Sequence, residues 1–192
     1  MTVIAAVATP THVVIGSDIM SDYGGTVIHK AASKVFPVTA GNGERVLFGV
    51  AGNSSLGPVI RRHLTIDSTP EVSDYEGADE WAGSIAEAIT GICDSTTPRL
   101  TTSCPEGADS LDGVALMAWR QHLWYVFTHT AFRPNGNIAA VGSGDEAARG
   151  SMHTALSHGV DADTAVRDAI YRASEINIGC RLDARGPLIH HT

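Results

Sequence analysis

Apolar and polar positions alternate in blocks that predict strands, then helices, then strands and helices again. Residues 3–8 and 12–17 are two almost wholly apolar runs joined at Thr9-Pro10-Thr11, which predicts a pair of strands covered on both faces. Residues 19–33 read as a polar, glycine-containing loop with a short apolar stretch at Thr26-Val27-Ile28. Two further strands are expected over 34–39 and 45–51, joined by the turn Gly41-Asn42-Gly43. Gly52-Asn53-Ser54-Ser55 then opens a helix through about Leu64, with Pro58 in a first turn where its missing N–H costs little.

A polar connection from Thr65 to Gly77 leads to a clearer helix. Its apolar stripe is Trp81, Ile85, Ala88, Ile89 and Ile92, with Asp79 and Glu80 near the positive end. Residues 94–110 read as a long polar loop. Strands follow over 113–120, 122–129 and 138–141, the last ending in Gly142-Ser143-Gly144. Two helices are expected over about 145–158 and from Asp161 or Asp163 onward, and the tail from Ile176 starts strand-like. No βαβ alternation is seen. The order predicts an α+β fold, a four-layer αββα sandwich of two antiparallel sheets flanked by helix pairs, formed as a single domain over residues 1–192.

Composition narrows the function. The net charge of −8 argues against nucleic acid as a partner. No apolar run approaches the ~18 residues that span a bilayer, and no basic start precedes a long apolar core, so a cytoplasmic protein away from membranes is expected. Cys93, Cys104 and Cys180 lack CxxC spacing and read as reduced thiols. His153 and His158 do not share a helix face, and no HExxH motif occurs. No metal site and no cofactor are expected.

The candidate chemistry sits in the first 34 residues. Thr2 follows Met1, and removal of Met1 would set its Oγ beside its own α-amine. Such an amine has an ordinary pKa of about 7.7–8.0 and can act as general base for that hydroxyl without a histidine. A buried lysine nearby would favour the neutral amine, and Lys34 is the candidate. That lysine would need a counter-charge, and Asp18 ends an apolar strand. A backbone N–H at Gly52, at a strand-to-helix junction, could face a developing oxyanion. Ser143 could hydrogen-bond the amine or a water. Each residue also has a plain structural reading: an exposed second residue, a solvated lysine, a turn aspartate, a helix-start glycine and a helix cap.

With these residues in place the chain resembles the HslV family, bacterial proteasome-like threonine peptidases that work with an ATP-dependent unfoldase, and more broadly proteasome β-type subunits. Thr2-Val3-Ile4, His12 to Asp18, Gly24-Gly25-Thr26-Val27 and Ser33-Lys34-Val35 follow the family pattern ungapped, with Asp18 and Lys34 at spacings of 16 and 32 residues from Thr2. Gly49-Val50-Ala51-Gly52, Val141 to Ala148 and the segment from Ala165 to Ile178 continue the match. The resemblance implies the N-terminal-nucleophile hydrolase sandwich, homo-oligomeric stacked rings, polypeptide substrates and an unfoldase partner. It implies Thr2 as nucleophile and base, Asp18 and Lys34 as tuning residues, the Gly52 N–H at the oxyanion, and Ser143 supporting the amine. Glu175 stands where the family has a supporting aspartate. Ser21, Ala32 and Val50 would bind substrate. Two other functions stay open: an amidase of the same chemistry acting on small acyl amides, and an inactive ring subunit.

Overall fold

The computed structural model describes residues 2–23, 26–30, 33–71, 75–103 and 109–192, with the backbone alone over 20–23, 26–30 and at Tyr75. The chain opens with β1 (Ile4–Ala8) and β2 (Val13–Ser17), the expected pair. The supposed loop after it contains a hairpin, β3 (Met20–Tyr23) and β4 (Thr26–Lys30). Its residues lack strict alternation, which hid the strands. Next come β5 (Val35–Thr39), β6 (Arg45–Gly52), α1 (Leu56–His63) and α2 (Tyr75–Ser95).

The long polar segment then holds a second small hairpin, β7 (Thr101–Ser103) with β8 (Asp109–Leu111). Strands β9 (Gly113–Trp119) and β10 (His122–Phe127) are as expected. A short β11 (Thr130–Phe132) and β12 (Ile138–Val141) precede α3 (Asp145–Ser157) and α4 (Ala162–Ile176). The tail after Ile176 begins as a turn rather than a strand, and only Leu188–His191 forms a strand, β13.

Two antiparallel sheets form the centre, in the orders β12-β1-β2-β13 and β11-β10-β9-β6-β5. Three hydrophobic layers bind them into the four-layer sandwich. Ile4, Ile15, Leu47, Leu116 and Leu123 pack between the sheets. Val14, Met152, Val166 and Ile170 join the first sheet to α3 and α4. Phe48, Ile60, Ile89 and Trp124 join the second sheet to α1 and α2. This is why β1 and β2 carry no polar face: each strand is covered on both sides. Burial of a large aliphatic side chain contributes about 1.5–3 kcal/mol, so these layers supply most of the stabilisation.

The buried stripe of α2 is Ala78, Ala82, Ile85, Ala86, Ile89 and Cys93. Ala88, expected on that stripe, is exposed. Trp81 lies at the stripe's edge, tilted across Trp119 at 5.2 Å between ring centroids. The indole N–H groups of the two other tryptophans find carboxylates: Trp124 donates to Asp79 at 2.7 Å and Trp119 to Glu44 at 2.6 Å. Asp79, read from sequence as a helix-terminus charge, thus mainly serves a buried indole and Arg133.

No helix among the described residues is long and apolar enough to cross a membrane. Among those residues, no group of three or more histidine, cysteine, aspartate or glutamate side chains could hold a metal ion.

Candidate active site

The site is built where β1 begins and β2 ends. Antiparallel pairing sets Ile4 opposite Ser17, so Thr2 and Asp18 emerge side by side. Two backbone-anchored bonds fix them. The Val3 N–H donates to Asp18 Oδ1 at 3.0 Å, and the Asp18 N–H donates to the Val3 carbonyl at 3.2 Å. Thr2 itself is 7% exposed and Asp18 is 0% exposed.

A carboxylate so deeply buried needs compensation. Lys34 provides it, with Nζ at 2.7 Å from Asp18 Oδ1 and its side chain only 10% exposed. The other carboxylate oxygen, Oδ2, accepts the Arg181 N–H at 3.3 Å. Asp18 therefore joins three segments: the strand that carries Thr2, the start of β5 and the turn after α4. Lys34 is held in turn from the second sheet, where the Val50 N–H donates to its carbonyl at 3.2 Å.

Ser143 closes the other side. Its Oγ lies 3.3 Å from Thr2 N, from which it accepts, and 3.3 Å from the Thr2 carbonyl, to which it donates. Gly142 makes this approach possible. Its φ is +99°, and a Cβ there would come within 2.9 Å of the Thr2 carbonyl carbon and Cγ2. Gly144 adds a backbone donor, its N–H reaching the Thr2 carbonyl at 3.3 Å. Thr2 N is thus the atom that Met1 removal would turn into an amine beside Ser143.

The turn following α4 completes the wall. Asn177 Nδ2 donates to the Ser143 carbonyl at 2.6 Å, and its Oδ1 accepts the Gly179 N–H at 2.9 Å. Cys180 Sγ lies 3.8 Å from Ser143 Oγ. Its thiol is pushed above the usual range, first by burial and further by the Asp18 charge. Sequence reading missed Asn177, Cys180 and Arg181. The Asn-x-Gly spacing at 177–179 signals a turn, but Arg181 acts through its backbone, which side-chain chemistry does not reveal.

Gly52 ends β6 with a φ of +120°, a conformation that favours glycine. It packs directly on Gly113, and a Cβ would meet the Asp112 carbonyl oxygen at 2.7 Å. The next residue is clamped to the same turn: the Asn53 N–H donates to the Asp112 carbonyl at 2.8 Å, and Asn53 Nδ2 donates to its carboxylate at 2.7 Å. The Gly52 peptide is therefore held in a set orientation before α1. Val50 is 9% exposed and belongs to the core layer under α1, with Gly57 above it.

Glu175 is not brought to the site. Its carboxylate lies 2.8 Å from Arg172 Nη1, one turn earlier on α4, and its side chain is 59% exposed. The buried face of α4 runs through Ala165, Val166, Ala169, Ile170 and Ala173. A residue two positions beyond Ala173 turns to the opposite side of a helix, which places Glu175 outward. The Ser21 side chain and Ala32 lie outside what the structure describes.

The sequence matches no protein-family model and, at a significant level, no curated protein. Solved structures do resemble the fold over almost its full length. BPH from Thiobacillus denitrificans superposes with a TM-score of 0.77 at 17% identity, covering 99% of this chain and 97% of the other. Its complex with epoxomicin gives a TM-score of 0.75 at 17% identity, with 99% and 97% covered. HslV from Trypanosoma brucei gives a TM-score of 0.67 at 17% identity, covering 98% of each chain. The chain has the HslV fold. Agreement extends to the α+β class and, among the described residues, to the two central antiparallel sheets and four helices.

Proposed function

We propose that the protein is a threonine-type endopeptidase subunit with Thr2 as nucleophile once Met1 is removed. The observation that carries this reading is that Ser143 bonds Thr2 and Asp18 bonds Val3, just ahead of β1, with Lys34 paired to Asp18. Such a buried ion pair, aimed at what would become a chain terminus, has no role in packing that an apolar pair would not fill as well.

In this mechanism the α-amine of Thr2 takes the proton of its own Oγ as that oxygen attacks the peptide carbonyl. The Lys34 ammonium, held by Asp18, keeps the amine in its neutral form by like-charge repulsion. Ser143 Oγ holds the amine in place and relays its proton to the leaving amide nitrogen. The Gly52 N–H, fixed by the Asn53 clamp on Asp112, stabilises the oxyanion; one such donor is worth about 3–4 kcal/mol of barrier. The C–N bond breaks to leave an ester on Thr2 Oγ. Water, giving a proton to the amine as it attacks, hydrolyses that ester, and the amine passes the proton to the departing Thr2 Oγ, restoring both groups. Val50, Ala32 and Ser21 are the proposed contacts with substrate. Glu175 is left out of this scheme.

Homo-oligomeric rings are the proposed assembly, supported by large apolar side chains left uncovered on the single chain. Ile176 is 73% and Ile178 is 81% exposed, beside the turn that walls the site. An unfoldase that feeds polypeptide into such a ring fits the same reading. Mass measured by light scattering tests the ring, with a monomer contradicting it. Hydrolysis of fluorogenic peptides tests the activity: Thr2→Ala should abolish turnover while leaving assembly intact, and full activity in that variant overturns the mechanism.

A further inference from the structure

The C-terminal strand reaches the proposed site from an unexpected direction. β13 pairs with β2 in antiparallel register, Leu188 with Ser17 and His190 with Ile15, so it runs along the strand that ends in Asp18. Side chains of a strand alternate between faces. Ile189 covers Gly16 on the helix side, where a Cβ on Gly16 would meet its Cδ1 at 2.6 Å. His191 shares that face and pairs with Asp163 of α4 at 2.9 Å. His190 therefore points the other way, toward the second sheet.

There its Nε2 lies 3.0 Å from Ser33 Oγ. Ser33 directly precedes Lys34, and its Oγ also accepts the Val35 N–H at 3.3 Å. Together the two bonds span Lys34, one to the residue before it and one to the residue after it. A histidine from the last five residues thus bridges both sheets at the residue that carries the proposed ammonium. Its ring is held below the ordinary histidine range, mainly by burial, with the Arg45 and His191 charges adding to it. A neutral ring with its proton on Nδ1 leaves Nε2 free to accept from the Ser33 hydroxyl.

We propose that His190 is a positioning residue for Lys34: through Ser33 it braces the backbone that aims Nζ at Asp18, so that docking of the C-terminal strand and competence of the site are coupled. The proposal rests on the threonine-nucleophile reading for its catalytic consequence, but the brace itself can be read without activity. Its geometry consists of one side-chain bond between the sheets and one local bond across Lys34. Loss of either frees the segment before β5, and an ångström of misplacement at a reacting group can cost about a hundredfold in rate.

The test compares the full chain with His190→Ala, Ser33→Ala, the double variant and His190→Gln, whose amide can still reach Ser33. Trace acetylation read by peptide mass spectrometry gives the reactivity of Lys34 Nζ in the folded protein, whether or not Thr2 is a nucleophile. The brace predicts that Lys34 reacts at least about threefold faster in both single variants, no faster still in the double variant, and near the wild-type rate in His190→Gln. Peptide hydrolysis is measured alongside. The same brace predicts kcat about tenfold lower with KM nearly unchanged, and an acid limb of the pH–rate profile moved upward, because a displaced ammonium no longer favours the neutral amine. Unchanged Lys34 reactivity in His190→Ala overturns the proposal, as does an additive double variant. Faster Lys34 labelling in a protein that never hydrolyses peptides upholds the brace and instead sinks the peptidase reading.

Discussion

Asp18 and Lys34 give the sharpest energetic test, because their burial leaves little room for solvent to soften the result. Asp18 is fully buried and Lys34 nearly so, at 2.7 Å. Removing one partner strands the other charge in the interior, which typically costs about 3–5 kcal/mol. Asp18→Asn should sit high in that range. It takes the buried carboxylate charge away from the Lys34 ammonium and, in either amide orientation, sets an N–H pair against a donor: the Arg181 N–H on one oxygen, or Val3 and Lys34 on the other. Lys34→Met should cost nearer 3 kcal/mol, since Asp18 keeps two backbone donors. The double variant removes both charges and should recover about 2 kcal/mol relative to the sum of the singles. Urea denaturation of all four proteins measures these differences through the midpoints. Additivity within about 0.5 kcal/mol would refute a direct, desolvated pair.

Other expectations follow from single positions. Gly52→Ala should unfold the protein or abolish turnover, because its φ of +120° and the Asp112 carbonyl leave no space for a Cβ; wild-type melting and activity would contradict this. Glu175→Ala should change stability by no more than about 0.5 kcal/mol and leave peptide turnover unchanged, since it breaks only an exposed helix pair, so a large rate loss would restore it to the mechanism. The buried Cys93 thiol is pushed up to about 11 from 9.0, so stability it contributes is intact below pH 9 and is lost as pH rises toward 11. Cys93→Ala should flatten that alkaline limb of urea stability relative to wild type. Ser17 Oγ is buried without a hydrogen-bond partner among the described residues, so Ser17→Ala should hold or raise the melting temperature.

The sandwich could be read from sequence because its strands are long apolar runs and its helices periodic. The same was true of the site's centre. Asp18 at the end of a doubly covered strand must find a cation, and Lys34 is the cation it finds. Gly52 and Gly142 marked strand ends in the sequence, and the structure adds that both have positive φ. Short hairpins such as β3–β4 and β7–β8 were not legible, since strands of 3 to 5 residues paired only with each other carry no sustained alternation. Glu175 shows the opposite error. Family spacing drew it to the site, although helix periodicity from Ala173 already turned it outward. Arg181 and His190 were out of reach, because one acts through its backbone and the other through a strand pairing that closes over the whole length of the chain.

The central claim is that Thr2 is a free N-terminal nucleophile. Intact mass of the purified protein, before and after incubation with a threonine-directed covalent inhibitor, tests it most directly. The account predicts a chain beginning at Thr2 that gains one inhibitor per molecule, with no gain in Thr2→Ala. A chain beginning at Thr2 that takes up no inhibitor, or an equal gain in Thr2→Ala, would contradict it.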